Sequence, residues 1–154
     1  MYRVIFLIIL LAVASSGAAQ EQKFKLSEEE QKLLDLTNAE RKKKDLPPLK
    51  ANPTLTKVAR AHAANMAKQG KMEHILDGKN PYERIKEAGY KFRVAAENIA
   101  RSQGDLDDVM KGWMNSKAHR ENILAPEFTE IGLGLAKGDN DTVYFAQVFA
   151  MPLK

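Results

Sequence analysis

The first apolar run of the chain, residues 4–14, follows Arg3 without a polar interruption and gives way to Ser15-Ser16-Gly17-Ala18-Ala19. A basic start, an apolar middle and a small-residue exit are the layout of an export leader, and the run falls well short of the roughly 20 apolar residues that cross a bilayer. Residues 1–19 are therefore expected to be a signal peptide, cleaved after Ala19 or Ala18 and leaving no stable membrane anchor. Residues 20–32 read as a polar linker and the start of a first helix, and residues 33–154 as one folded domain. Ser27 stands three residues before Glu30, the spacing of a capping box, and Leu33, Leu34 and Leu36 supply the apolar side of that helix. Its end is the basic run at residues 41–44, where positive charge suits a helix C-terminus. The run reads as a solvated helix end, because no aromatic residue interleaves it as in a nucleic-acid patch. Leu46-Pro47-Pro48-Leu49 cannot continue a helix and predicts an extended connection.

Asn52-Pro53 opens the clearest helix, with Leu55, Val58, Ala59, His62, Ala63, Met66 and Ala67 on one stripe and Gly70 as its stop. Asn80-Pro81 repeats the start signal for a shorter helix closed by Gly89. Asp105 caps a fourth, with Leu106, Val109, Met110 and Trp113 on its apolar side and Asp108 spaced to reach back to the cap. The period changes after His119. Ile131-Gly132-Leu133-Gly134-Leu135 alternates with glycine, and residues 143–149 are β-branched and aromatic. With the turn-rich Gly138-Asp139-Asn140-Asp141 between them they predict a hairpin, and residues 90–95 a third strand. Helices first and strands later point to a layered α/β arrangement.

Cysteine is absent, which excludes disulfides, thiolate metal sites, a Cys nucleophile and lipid attachment through an N-terminal Cys. About 135 residues remain after the leader, enough for one ordinary core and short for two. The formal net charge of +4 falls by one when Arg3 leaves with the leader. So mild an excess, spread among alternating lysines and carboxylates, gives no reason to expect nucleic-acid binding.

Candidate chemistry rests on three histidines. His62 lies on the apolar stripe of the second helix and reads as a packing residue. His74 follows Gly70 in an irregular connection, and His119 follows the fourth helix, both places where a rigid scaffold presents functional groups. H-E-x-x-H, G-x-S-x-G and a Gly-rich phosphate loop are all absent, so any site shared by His74 and His119 must be assembled by the fold. Trp113 lies on an apolar helix face and reads as core. The aromatics Tyr90, Phe92, Tyr144, Phe145 and Phe149 suit strand packing.

The chain resembles a known family in His74, in Ala96-Glu97-Asn98-Ile99-Ala100, in Asp108 five residues before Trp113, and in His119 thirteen residues before Gly132-Leu133-Gly134. These are similar to the CAP superfamily, the SCP domain of cysteine-rich secretory proteins, antigen 5 and pathogenesis-related 1 proteins. The cysteine-free bacterial branch is the nearer likeness, in Leu36-Thr37-Asn38-Ala39-Glu40-Arg41, His119-Arg120-Glu121-Asn122-Ile123-Leu124, Phe128-Thr129-Glu130-Ile131-Gly132 and Gln147-Val148-Phe149. The resemblance implies a three-layer α-β-α sandwich with a small antiparallel sheet, and a surface cleft lined by two histidines and two acids. Carried over by position, these are His74, Glu97, Asp108 and His119, with Asp107 competing for the second acid.

Three roles for that cleft stay open. Two neutral imidazoles beside a carboxylate suit Zn²⁺ or a similar divalent ion, with His74 and His119 as its ligands. The same residues could form a hydrogen-bonded cluster that fixes the loops, with Asn98 and Asn122 holding backbone. Or Glu97 could act as general base on a metal-bound water. The functional expectation is a secreted or periplasmic binding and interaction module whose partner is a small molecule, a lipid-like ligand or an envelope component. The alternative is a metal-dependent hydrolase of peptide or cell-wall substrates.

Overall fold

The computed structural model describes residues 24–153, so the expected leader and the first part of the linker lie outside the described residues. The elements in order are α1 (Glu28–Lys42), β1 (Lys50–Ala51), α2 (Pro53–Gln69), α3 (Pro81–Glu87), β2 (Phe92–Ser102), α4 (Leu106–Asn115), α5 (Lys117–Leu124), β3 (Glu130–Lys137) and β4 (Val143–Pro152). The strands form one sheet in the order β1-β3-β4-β2. On one face α1, α4 and α5 bury Leu33, Met110, Trp113 and Ile123 against Leu133 and Phe149. On the other, α2 and α3 bury Leu55, Ala59, Met66 and Ile85 against Ile99 and Val148. This is the α-β-α sandwich.

The caps form where the sequence places them. Ser27 and Glu30 make a reciprocal capping box, and the same Glu30 carboxylate takes Arg60 Nε and Nη2 at 2.6 and 2.5 Å, tying the start of α1 to α2. Asn52 caps α2 and Gly70, at φ 65°, ends it. Gly132 and Gly134 let α2 lie directly on β3: a Cβ on either would overlap the backbone at Leu55 or Ala59.

Several expectations are corrected. The sheet is mixed, because Lys50 N donates to Thr129 O (3.0 Å) and Asn52 N to Ile131 O (2.9 Å), adding the two-residue β1 parallel to β3. The third strand is later and longer than residues 90–95. Tyr90 N still closes α3 by donating to Ile85 O, and pairing with β4 carries β2 through Glu97 to Ser102. Helix α5, which holds His119, was not expected: its N-cap Ser116 has His119 instead of Glu or Gln three residues on, so the capping-box signal is missing, and it makes no side-chain cap. Asp108 does not complete a capping box. Its backbone N–H donates to Asp105 while its carboxylate takes Lys111. Finally, Arg41 does not belong to a solvated run: it is fully buried and donates to the carbonyls of Pro47, Ile123, Ala125 and Phe128.

Candidate functional site

Glu97 stands in the middle of β2, on the face toward α2, with 1% of its side chain exposed. A carboxylate so deep must be neutralised nearby. Its Oε2 accepts from Arg84 Nη2 of α3 at 2.6 Å, and its Oε1 accepts from His74 Nδ1 at 2.8 Å. Arg84 also donates through Nη1 to the carbonyls of His74 and Lys79 (2.9 and 2.8 Å), so one guanidinium fixes both the carboxylate and the loop that carries His74. Because the Glu97–Arg84 pair is ionic, the shared proton of the His74 contact sits on Nδ1. In the neutral ring Nε2 is then bare.

His62 is buried on the stripe that suggested packing, yet its Nε2 lies 3.8 Å from Glu97 Oε1. Neither ring nitrogen reaches a hydrogen-bond partner among the described residues. Burial lowers its pKa, Glu97 opposes that shift, Arg84 adds to it, and the Glu73 backbone opposes it. His62 and Arg84 are the cluster members that sequence reasoning missed. The signal for Arg84 was the need of a strand-borne Glu97 for a buried cation.

The opposite wall comes from α4 and α5. Trp113 is core, as expected, and its Nε1 donates to Ile99 O at 3.1 Å. Asn98 Nδ2 donates to His119 O (3.1 Å) and to Gln147 Oε1 (3.3 Å), while Asn122 Nδ2 donates to Asn98 Oδ1 (2.9 Å). Gln147 passes the chain on to Thr37 Oγ1 at 2.8 Å. These amides hold the backbone of His119 in place. The half-buried His119 ring makes no side-chain hydrogen bond among the described residues. Its pKa is lowered by burial and, second, by His74, which places the two imidazoles within electrostatic reach.

A cleft of about 460 Å³ lies beside His119, between the last residues of β2 and α4, and is lined by Met72, Ile99, Arg101, Asp108 and Trp113 among others. Asp108 stands there with 62% of its side chain exposed, 3.2 Å from Lys111. Asp107 instead accepts from Lys32 of α1 at 2.7 Å, so of the two acids Asp108 is the one at the cleft. His74 and Glu97 are brought together directly; Asp108 touches neither. A larger hollow of about 790 Å³, between the start of α1, α2 and the β3–β4 hairpin, contains no histidine.

A family model described as CAP, Cysteine-rich secretory protein family, matches residues 34–149. The chain belongs to the CAP family. It is 43% identical to YkwD of Bacillus subtilis over 106 residues, which are 68% of this chain and 41% of YkwD. It thus spans less than half the length of that relative. An outer surface protein of Borrelia burgdorferi has the same fold at a TM-score of 0.78 and 26% identity, covering 84% of this chain and 97% of that one. An extracellular protein containing a SCP domain from Bacillus anthracis follows at 0.73 and 29%, covering 79% of this chain and 40% of that one. This CAP domain is cysteine-free.

Zinc sites draw three or four ligands from the protein. The imidazoles of His74 and His119 lie within electrostatic reach of each other, the Glu97 carboxylate is already engaged by Arg84 and His74, and among the described residues no group of three or more His, Cys, Asp or Glu side chains could hold a metal ion. As they stand, the described residues do not assemble a three-ligand zinc set. What they can do is present two imidazoles, one of them, His74, oriented from behind by a carboxylate.

Proposed function

We propose that this CAP domain is a binding module working outside the cytoplasm, with its ligand seated in the cleft next to His119 and His74. The observation that carries the reading is the state of Glu97. A hydrolase needs a general base free to take a proton from water. Glu97 is held on one oxygen by Arg84 and on the other by His74, and is closed to solvent. It is a positioning residue for His74. Asp108 is exposed and faces Lys111, the setting of a surface rim.

The ligand classes that suit the cleft are a small molecule, a lipid-like molecule or an envelope component that sets apolar surface on the exposed Met72 side chain and a hydrogen-bond donor on the imidazoles. The location outside the cytoplasm is supported by the leader pattern of residues 1–19 and by the descriptions outer surface protein and extracellular protein carried by the two structural neighbours. Among the described residues no helix is long and apolar enough to cross a membrane.

Zn²⁺ serves as a probe of the imidazole pair. Calorimetric titration is expected to find weak binding, removed by His74→Ala and equally by His119→Ala, and unchanged by His62→Ala. Residues that grip one ion as a unit are not additive, so the double variant loses little more. Equal affinity in the wild type and both single variants would falsify the pairing of the two rings on one ligand.

A further inference from the structure

β2 is the outer strand of the sheet and, among the described residues, pairs only with β4. Its free edge can be read from its neighbour. Thr129 N donates to Ala150 O (3.2 Å), so Ala150, and with it Val148 and Ala146, turn their backbone groups toward β3. Phe149, Gln147 and Phe145 therefore turn toward β2, where they stand opposite Ala96, Asn98 and Ala100. The residues between, Glu97, Ile99 and Arg101, point their N–H and C=O groups away from the sheet. Trp113 gives the same phase independently, because its indole donates to Ile99 O from outside.

Ile99 N–H and both backbone groups of Arg101 meet no partner among the described residues, and both residues line the cleft. Exposed strand edges are usually blunted by charge, proline or a covering element. Here Trp113 of α4 covers the edge at Ile99 O, and from there to the exposed Arg101 the edge runs along the cleft.

We infer that the cleft binds an extended peptide, which adds to β2 as a further strand at Ile99 and Arg101. This rests on the reading of the cleft as a binding site. Donors and acceptors recurring at every second residue of one strand match the repeat of another strand, and main-chain pairing with side-chain pockets is how strand addition works. A lipid tail has nothing to offer these groups. Asp108 on α4 and Arg101 on β2 give the groove one acid and one base, complementary to a peptide that carries both. The indole on Ile99 O closes the ladder toward Glu97, so the added strand ends beside the histidines.

The test passes the protein over an immobilised library of capped hexapeptides. Retained peptides are expected to protect the Ile99 and Arg101 amides from hydrogen exchange and to shift the His119 resonances. N-methylation of the peptide on one alternate set of amides should weaken binding by about tenfold for each bond lost, and on the other set should leave it unchanged. Arg101→Pro removes an outward N–H and no ladder bond, a change edge strands tolerate. It should keep the wild-type melting transition and lose the peptide, while Arg101→Ala, which keeps the backbone N–H and removes only the charge, weakens the peptide far less. Retained peptides that shift His119 yet leave both amides unprotected and accept N-methylation everywhere overturn strand addition and leave the cleft reading standing. A library from which nothing is retained overturns it as well; if Zn²⁺ also leaves His119 undisturbed, the cleft reading falls with it.

Discussion

Three side chains surround the Glu97 carboxylate, and each is in a different electrical state. Arg84 supplies the compensating charge, His74 supplies a hydrogen bond, and His62 supplies only a neutral ring held below its ordinary pKa by burial. The last of these sets a pH dependence. A histidine whose pKa is depressed in the fold binds fewer protons folded than unfolded, so stability rises with pH through that range. It is fully present above the unfolded value near ~6.5 and is lost as pH falls from there toward the folded value. His119 is shifted the same way and adds to the slope. Urea denaturation at pH 7.5 and at pH 5 is expected to show this loss, and His62→Gln to shrink it; an unchanged pH dependence in that variant would mean His62 is charged or exposed. Arg41 shows what residue type alone conceals. Four consecutive basic residues suggested a wet helix end, yet Leu33, Thr37 and Arg41 are spaced i, i+4 on the buried face, and that spacing placed Arg41 inside.

At the scale of elements, legibility followed capping chemistry. Helices announced by Ser27, Asn52, Asn80 and Asp105 form at those residues, whereas α5 lacks a side-chain cap and went unread although it carries His119. The strand β2 was cut short because Glu97, Asn98 and Arg101 are polar. Their partners, Arg84, the Asn122–Gln147 amide chain and solvent, come from elsewhere in the chain and are invisible to local periodicity. The contact of α2 with β3 was legible only as an alternation of glycines. Its physical content is steric: Gly134 faces the backbone at Ala59 and Arg60 with no room for a methyl group. Gly134→Ala must push α2 off the sheet and is expected to cost about 3 kcal/mol or more, the upper range for overpacking. Urea unfolding reads this as a lower midpoint at unchanged slope. A variant as stable as the wild type would contradict the direct packing of helix on strand.

Across the whole molecule, the candidate site marks the line where two helical layers meet one open strand. The layer of α2 and α3 brings His62, His74 and Arg84 to one face of β2, and the layer of α4 and α5 brings Asp108 and His119 to the other. The family resemblance supplied the four cleft positions. The structure adds that they are not equivalent: Glu97 is spent inside the protein so that His74 can face out. On the proposed reading that division of labour favours a binding cleft over a hydrolytic centre, and it fixes where one proton must be. Nitrogen-15 spectra of the histidines at pH 9, where the imidazoles are neutral, report it directly. The account predicts His74 with its proton on Nδ1 and a bare Nε2, and a proton on Nε2 with a bare Nδ1 would contradict it.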